Sequence, residues 1–300
     1  MKKMLITGGT QFVSRFAAEY FFDKYDVFVL NRNTRPQSQG ITLIEGDRHN
    51  LGNSLKEMHF NVILDITAYD AQDIQDLLDG IGGFDDYVLI SSSAVYLETE
   101  NQPFREDSTI GPNKIWGAYG TNKIAAEKLL KKRVPGAYIL RPPYLYGPGN
   151  NVYREAFVFD CALANRLFFL PCSGEMGLQF FHVEDLCRFI ECLLKEHPEQ
   201  HTFNVGNRNS ISIREWVTLC YKVVGRLPEF TCVDAAVPQR SYFPFYDYDY
   251  KLDVDKQYDL MPRTKTMEEG LQEAFSWYST HPNDVNKKPL IPYIEANFPK

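Results

Sequence analysis

Two side chains four residues apart, Tyr119 and Lys123, are the residues of this chain whose types and spacing point most directly to chemistry. Residues four apart in a helix lie on the same face, and the segment 124–132 is rich in strong helix formers. An ammonium group beside a phenol favours the phenolate and lowers the tyrosine pKa from its usual value of about 10. The pair therefore predicts an acid/base tyrosine, although an exposed Tyr/Lys pair on a solvated helix has the same spacing.

A glycine turn near the amino terminus predicts a phosphate-binding site. Residues 3–7 predict a short buried strand, Gly8, Gly9 and Thr10 predict a turn, and Phe12 begins an amphipathic helix. In such a unit the backbone N–H groups of the turn and the helix N-terminus meet the pyrophosphate of a dinucleotide. The alternative is an ordinary strand-turn-helix without a ligand.

The turn departs from the dinucleotide fingerprint at two positions. Gly8 fits the first glycine position, but Gln11 and Ser14 stand at the second and third. Serine is small enough to keep the helix close to the strand, whereas the side chain of Gln11 could narrow the approach of the pyrophosphate. We expect the whole segment from Gly8 to Phe12, including Gln11, to contact the cofactor.

The end of the second strand bears on which dinucleotide binds. The apolar run 27–30 ends in Asn31 and Arg32, with Arg35 close behind. An acidic residue at this place would bind the ribose 2′-hydroxyl of NAD, but here no carboxylate is present to repel a 2′-phosphate and a guanidinium is available to bind one. The sequence favours NADP over NAD, unless Arg32 and Arg35 are ordinary solvated loop residues.

A hydroxyl partner for Tyr119 is found in the segment Ser91–Ser93, which follows the apolar run 87–90. Hydride transfer to or from a carbon that bears a hydroxyl requires a proton to move on the oxygen, while the cofactor supplies the hydride chemistry. A serine and a tyrosine on one oxygen would supply the hydrogen bond and the proton. We expect one of these serines to lie beside Tyr119.

The elements that position these residues predict an α/β fold. Apolar runs at 41–44 and 62–66 complete a set of five predicted strands, and helices are expected over 51–58 and 73–78. Strands that alternate with helical segments favour a doubly wound parallel (Rossmann) sheet, and its ligands bind at the carboxyl ends of the strands. Those ends carry small or polar residues: Gly8, Asn31, Asp47, Thr67 and Ser91–Ser93.

Composition narrows the class of protein. The chain has 300 residues, of which 44% are hydrophobic, and its formal charge of −7 argues against a nucleic-acid surface. The six cysteines have no C-x-x-C spacing and no histidine at zinc-site spacing, so we expect free thiols and no metal. No apolar run is long enough to span a membrane, and a cytoplasmic protein is expected.

The second half of the chain predicts a smaller α/β domain that covers the strand ends. We place a dinucleotide-binding domain at 1–150, to which later segments return, a mainly substrate-binding domain at 151–285 and a loosely attached or free tail at 286–300. Residues 240–250 are dense in aromatics and will not form a regular helix. They could stack a base or sugar ring with Arg240 on a phosphate, or simply cover the core.

Six motifs in order carry a resemblance to a known family. They are the serine strand end at 91–96, Y-x-x-x-K at 119–123, R-P-P-Y-L-Y-G-P-G at 141–149, F-H-V-E-D-L at 181–186, F-N-V-G-N at 203–207 and T-M-E-E-G-L at 266–271. In this order and spacing the chain resembles the extended short-chain dehydrogenase/reductase family, the NAD-dependent sugar epimerases and dehydratases. The G-G-T-x-F form of the glycine turn resembles an atypical branch that includes plastid RNA-binding relatives.

The resemblance implies roles for individual residues. Tyr119 would be the catalytic acid/base, Lys123 its pKa-lowering and ribose-binding partner, and Ser92 the hydrogen-bond donor to the reacting oxygen, with Ser93 as the alternative. Further cofactor contacts would come from Asn31, Arg32, Asp47, Arg48, Thr67, Ala68, Tyr69, Ser91, Tyr144 and Leu145. Substrate contacts would come from Ser93, Tyr96, Asn150 and Arg240.

The implied activity is an NAD(P)-dependent epimerase, dehydratase or reductase that acts on a nucleotide sugar. The resemblance also implies a homodimer packed through the Tyr119/Lys123 helix. The competing hypothesis is a binding or regulatory protein that keeps the cofactor fold without catalysis and associates with RNA, and it is motivated by Gln11, Ser14 and Asn31.

Overall fold

A seven-stranded parallel sheet forms the centre of the amino-terminal half in the computed structural model, which describes residues 1–298. The strands are β1 (Lys3–Thr7), β2 (Asp26–Asn31), β3 (Thr42–Glu45), β4 (Leu55–Asp65), β5 (Ile81–Ile90), β6 (Tyr138–Arg141) and β11 (Thr202–Asn204). Their order across the sheet is β11-β6-β5-β4-β1-β2-β3.

Helices cover both faces of this sheet. Helices α1 (Phe12–Phe21) and α5 (Val183–Glu196) pack on one face, and α2 (Ala71–Gly80) and α3 (Ala118–Arg133) pack on the other. The predicted doubly wound fold is therefore confirmed. The direction in which successive strands join the sheet reverses at β1, because β2 lies on one side of it and β4 on the other. This reversal opens a crevice at the carboxyl ends of β1 and β4, where such folds bind ligands.

The helix predicted over 51–58 is wrong. Leu55 already begins β4, where it pairs with Ile81, and the pairing resumes after a bulge with His59 opposite Gly83. Lysine, glutamate and methionine favour helices locally, but that preference is worth only tenths of a kcal/mol per residue. The ladder to β5 outweighs it, so both strands extend beyond the apolar cores that the sequence reveals.

The second half forms its own core from helices and short strands. Two-stranded pairings join β7 to β10, β8 to β13 and β9 to β12. Its elements are β7 (Tyr144–Tyr146), α4 (Glu155–Leu163), β8 (Phe168–Pro171), β9 (Gly177–Leu178), β10 (Phe180–His182), β12 (Ile211–Ser212), α6 (Ile213–Val223), β13 (Phe230–Val233), α7 (Asp255–Leu260) and α8 (Met267–Thr280). Because α5 and β11 return to the main sheet, the two halves are interleaved along the chain.

The segment after residue 285 is not a loose tail. Residues Leu290–Asn297 form helix α9, and Leu290 and Ile294 are buried in the core of the second half. Two apolar side chains one helical turn apart are enough to dock a short helix. The last two residues of the predicted tail, 299 and 300, lie outside the described part of the chain. Within residues 1–298, no helix combines the length and apolarity needed to cross a bilayer.

Candidate active site

Tyr119 and Ser92 lie near each other at the carboxyl edge of the sheet. Tyr119 lies in the first turn of α3, two residues after Gly117, whose φ of 53° is in the left-handed region. The residue is 42% exposed as a whole, although enough protein surrounds its hydroxyl to desolvate it. Desolvation raises the pKa of Tyr119 above its usual 10.0, and the hydrogen bond with the Ser92 side chain opposes that rise without cancelling it. The expected lowering of this pKa by Lys123 is thus wrong for the protein without its ligands.

The reason lies in the partners of Lys123. Its ammonium group donates to the carbonyl oxygens of Ala68 at 2.6 Å and Ile90 at 3.0 Å, at the ends of β4 and β5. Desolvation lowers the pKa of Lys123 from 10.5 to about 8, although the carboxylates of Asp65 and Glu127 act in the opposite direction. An ammonium has three donors, so one remains for a ligand.

The face of α3 that carries Tyr119 and Lys123 continues to Glu127, which anchors it. Glu127 is fully buried and receives a two-point contact from Arg141, with Nε to Oε1 at 3.0 Å and Nη2 to Oε2 at 2.6 Å. The hydroxyl of Ser91 donates to the same carboxylate at 2.6 Å. One carboxylate therefore ties α3 to the residue before Ser92. Ser91, predicted to contact the cofactor, is instead a buried partner of Glu127.

Tyr96, predicted to bind substrate, is also a structural residue. It is 0% exposed, its hydroxyl donates to Asn204 Oδ1 at 2.6 Å, and it accepts a hydrogen bond from Arg141 at 2.9 Å. Desolvation raises the pKa of Tyr96 to about 12. The hydroxyl therefore stays protonated as a link between β11 and β6.

A second buried network lies below the crevice. Asp65 accepts hydrogen bonds from Thr7 at 2.7 Å, Arg48 at 2.8 Å and Tyr87 at 2.6 Å. The hydroxyl of Thr7 accepts in turn from the N–H of Thr67 at 3.1 Å, so the network shapes the segment after β4. Arg48 therefore has a carboxylate partner beneath the predicted cofactor site. Neighbouring Asp47 caps the 3₁₀ turn 48–50 by accepting from the N–H of His49.

The glycine turn fits a dinucleotide pyrophosphate. Gly8 and Gly9 have φ values of 94° and 91°, and a Cβ on Gly9 would lie 2.4 Å from Val29 Cγ1. Gln11 has φ −140°, an extended conformation that any residue adopts, so glycine is not needed there. Its side chain does not cap α1, which leaves the first N–H groups of the helix free for an anion. Phe12, with φ 38°, holds a strained turn of the kind found at ligand sites.

Of the polar residues at the end of β2 and after it, Asn31 is held by hydrogen bonds, whereas Arg32 and Arg35 are exposed. The amide of Asn31 donates to the carbonyl of Gly8 at 2.7 Å and to Gln37 Oε1 at 3.0 Å, so it holds the turn in place. Arg32 and Arg35 are exposed and have no carboxylate partner among residues 1–298. Arg35 lines a cavity of about 470 Å³ together with Thr10, Gln11 and Phe12.

The other wall of the cleft is aromatic. Trp116, three residues before Tyr119, contacts the rings of Tyr144, Tyr246, Tyr248 and Tyr250 edge-on. The loop 240–250 thus packs into the core and borders the cleft at once. Three other predicted site residues have the following contacts. The hydroxyl of Ser93 donates to that of Tyr250 at 3.3 Å, and Leu145 packs against the sheet-side core. The ring centroid of Tyr69 lies 5.3 Å from Lys123 Nζ.

Tyr144, which we predicted to contact the cofactor, belongs to this aromatic wall. Its ring centroid lies 4.7 Å from that of Phe245, and the residue is only 6% exposed. Its hydroxyl is buried and has no hydrogen-bond partner in the described part of the chain. A buried hydroxyl without a partner costs about 1–3 kcal/mol, which a ligand can recover.

Three cations border the same wall. Arg154 lies 4.8 Å over the ring of Tyr144, and Arg240 lies 4.6 Å over the ring of Tyr246. Lys288 lies between α8 and α9. Desolvation is the largest cause that lowers the pKa of Lys288, and the nearby charges of Arg240 and Arg154 lower it further. None of the three has a carboxylate within 4.0 Å among residues 1–298.

Asn150, predicted to bind substrate, is buried and is held by hydrogen bonds within the chain. Its amide donates to Glu155 Oε1 at 2.9 Å and its carbonyl oxygen accepts from the N–H of Val152 at 3.0 Å. It therefore fixes the entry into α4. Sequence reasoning missed Arg154, four residues further on, because no local pattern distinguishes a ligand-binding arginine from a solvated one.

One cluster has the composition of a metal site. Ligand atoms of His182, Glu184 and Glu273 lie within 4.8 Å of one another. The ammonium of Lys265 pairs with both carboxylates, so it already supplies the positive charge. Burial and Lys265 lower the pKa of His182 to about 3, which keeps the imidazole neutral.

Comparisons with known proteins agree with this geometry. The NAD dependent epimerase/dehydratase family model matches residues 4–206. The chloroplast stem-loop binding protein of 41 kDa b from Arabidopsis thaliana is 26% identical over 280 residues, which cover 85% of this chain and 73% of that protein.

Solved structures share the whole fold. A dTDP-glucose 4,6-dehydratase from Bacillus anthracis, solved with NAD, has a TM-score of 0.73 at 20% identity and covers 97% of this chain and 100% of its own. A UDP-glucuronic acid 4-epimerase from Bacillus cereus, also solved with NAD, has a TM-score of 0.73 at 18% identity, with 93% and 99% covered. At these identities the similarity establishes the fold.

Proposed function

This chain belongs to the NAD-dependent epimerase/dehydratase family, and from that premise we propose that it transfers a hydride between NAD(P) and a hydroxyl-bearing carbon of a nucleotide sugar, with Tyr119 as acid/base. The observation that carries the proposal is the close packing of α3 on the turn 93–95 that follows Ser92, where a Cβ on Gly120 would lie 2.5 Å from the carbonyl oxygen of Ala94. The Ser92 side chain is also near enough to Tyr119 to influence the pKa of its hydroxyl. Both residues lie at the carboxyl edge of the sheet, where the fold also presents its glycine turn.

Each residue of the site has a distinct part in the proposed reaction. The bound cofactor would supply the hydride chemistry. Ser92 would hydrogen-bond the substrate oxygen, and Tyr119 would exchange a proton with it. With a raised pKa, Tyr119 starts as a neutral phenol, ready to donate. The free donor of Lys123 would hold a cofactor hydroxyl, and the first turn of α1 would hold the pyrophosphate.

For the cofactor, we keep NADP as the favoured form. Arg32 and Arg35 are exposed and lack carboxylate partners in the described chain, and Asn31 does not offer an acceptor equivalent to a carboxylate. For the substrate, Arg240 and Lys288 have the charge to hold the diphosphate of a nucleotide sugar. The aromatic loop beside them offers rings on which a sugar or base would pack.

Two further expectations stay proposals. All six cysteines, which lie within residues 1–298, are free thiols, and this supports a reducing, cytoplasmic location. A homodimer would pack through the outward face of α3, where Thr121, Asn122 and Lys128 are exposed.

The test of the proposed function is turnover by Tyr119→Phe. We expect wild-type protein to interconvert NAD(P)⁺ and NAD(P)H with a nucleotide sugar, and the variant to lose about 10²–10⁴-fold in rate while its melting temperature is kept. Ser92→Ala serves as a second probe of the same pair of residues. Full turnover by Tyr119→Phe on that substrate would refute acid/base catalysis by this residue.

A second candidate function rests on the relative from Arabidopsis thaliana, whose name describes stem-loop binding. On this alternative the chain would bind RNA and not catalyse hydride transfer. Filter binding at physiological salt separates the two hypotheses. If the chain retains no more stem-loop RNA than an acidic control protein does, the RNA-binding hypothesis is excluded. The net charge of −7 supports the enzymatic hypothesis.

A further inference from the structure

We infer that Arg154 forms a carboxylate-binding subsite beside the reacting hydroxyl, so that the substrate is a nucleotide-linked uronic acid and not a neutral hexose. The inference rests on the proposed function and narrows its substrate class. It begins from the number of cations, because a diphosphate carries two negative charges whereas Arg154, Arg240 and Lys288 supply three positive ones without a carboxylate partner in the described chain.

The geometry of Arg154 suits a planar anion. Its guanidinium carbon lies over aromatic side chains, 4.8 Å from the ring centroid of Tyr144 and 5.7 Å from that of Phe245. Its one acceptor within residues 1–298 is the carbonyl oxygen of Leu145, at 3.5 Å. A guanidinium has five N–H donors in a fixed plane, so with this one acceptor Arg154 keeps most of its donors for the two oxygens of a carboxylate.

Three cations along one wall need not bind the same group of the substrate. The residues near each cation indicate which group it would bind. The positive charges of Arg154 and Arg240 both act on the hydroxyl of Tyr144, but of the two only that of Arg154 acts on the hydroxyl of Tyr119. Arg240 lies over Tyr246 and donates to the carbonyl of Pro244, further along the loop 240–250, and it acts with Arg154 on Lys288. Arg154 is thus the cation next to the reacting oxygen, and Arg240 with Lys288 forms the outer pair.

This order matches the layout of a nucleotide uronate. Its carboxylate is bonded to the ring carbon next to the one that bears the 4-hydroxyl, while the diphosphate leaves from the anomeric carbon on the other side of the ring. An anion beside Tyr119 therefore belongs to the sugar, and an anion on the outer pair belongs to the diphosphate.

Tyr144 supplies the second observation. Its hydroxyl is buried, and it has no hydrogen-bond partner among the described residues, while its own ring supports Arg154. A carboxylate on Arg154 would offer that hydroxyl an acceptor. Desolvation raises the pKa of Tyr144 to about 12, so it remains a donor throughout the physiological range.

The experiment measures binding of two matched ligands, UDP-glucuronate and UDP-glucose, which differ only in carboxylate against hydroxymethyl. Titration calorimetry with the cofactor present gives both affinities for wild type, Arg154→Gln and Arg240→Gln, and the dTDP-linked pair repeats the test. We expect wild type to prefer the uronate. Arg154→Gln should lose about 10- to 100-fold for the uronate and little for the neutral sugar, as for a charged hydrogen bond. Arg240→Gln should weaken both ligands alike.

The outcomes separate this inference from the proposed function. If wild type binds none of the four ligands, the nucleotide-sugar proposal itself fails. If it binds uronate and neutral sugar equally, or Arg154→Gln weakens both to the same extent, the carboxylate subsite alone is refuted. Arg154→Lys and Tyr144→Phe, each checked by thermal unfolding, keep the test open should Arg154→Gln not fold. Both should reduce the uronate preference partly, and an unchanged preference in both would also overturn the subsite.

Discussion

The arginines on the two walls of the cleft have different kinds of partner. On the sheet side, Arg141 meets Glu127 and Arg48 meets Asp65, and both carboxylates are buried. On the other side, Arg154 and Arg240 lie on aromatic rings and have no carboxylate partner in the described chain. Both walls border the same Ser92/Tyr119 pair, so proximity to Tyr119 does not by itself reveal what a charged residue does.

The difference shows which charges hold the fold and which are available to a ligand. A buried pair with its hydrogen bonds satisfied loses stability when one partner is removed, because the remaining charge is left in a medium of low polarity. A guanidinium on an aromatic face keeps most of its donors, and its removal leaves no charge unpaired. Stability should therefore respond on the sheet side, and affinity on the aromatic side.

The largest expected effect that tests this contrast is on stability. Glu127→Gln removes one charge of the pair with Arg141, and we expect the free energy of unfolding to fall by about 3–5 kcal/mol. Urea unfolding of the variant beside Arg154→Gln measures the contrast, since Arg154→Gln should change stability far less. Equal losses in the two variants would erase the distinction between the walls.

A double variant sharpens the same prediction. Glu127→Met combined with Arg141→Met removes both charges, so its loss should be smaller than the sum of the two single losses. Additive losses would mean that the contact at 2.6 Å is not energetically coupled. Because Glu127 also accepts from Ser91, the double variant should still weaken turnover through the placement of Ser92.

Lys123 is an intermediate case, a buried cation that contacts carbonyl oxygens in place of a carboxylate. Its folded pKa of about 8 lies below the unfolded value of 10.5, so the unfolded chain binds more protons between these two values. Stability should therefore rise with pH from about 8 to 10.5, by at most about 1.4 kcal/mol per pH unit. Unfolding titrations of wild type against Lys123→Met measure this term as the difference in slope. Parallel slopes would place the folded pKa near its ordinary value.

The smallest expected effect concerns an exposed cation outside both walls. Arg32→Gln should weaken NADPH about threefold to tenfold and leave NADH nearly unchanged, because an exposed charged contact is worth about 1 kcal/mol and is screened by salt. Fluorescence titration at two salt concentrations provides the measurement, with Arg15→Gln, already paired with Glu19, as the matched control. Tighter binding of NADH by the wild type would contradict the preference for NADP.

Local pattern was sufficient for most of the fold. The apolar runs at 3–7, 27–30 and 87–90 match strands, and the spacing of Tyr119 and Lys123 matches a helical face. It failed at 51–58, where pairing with β5 outweighs helix propensity, and after residue 285, where two buried side chains dock α9. Glu127 continues the Tyr119/Lys123 face, and an acidic residue there was a signal that could have been used.

The sequence by itself determined the order of elements, the glycine turn and the residue types at the strand ends, because each depends on neighbours along the chain. Only the tertiary structure decided which polar groups are free. Ser91 meets Glu127, Tyr96 meets Asn204 and Asn150 meets Glu155, so three predicted site residues became internal contacts. Burial and pairing also set the direction of the Tyr119 and Lys123 pKa shifts. Both depend on residues that are distant in sequence, 108 positions apart for Tyr96 and Asn204, and no local periodicity records them.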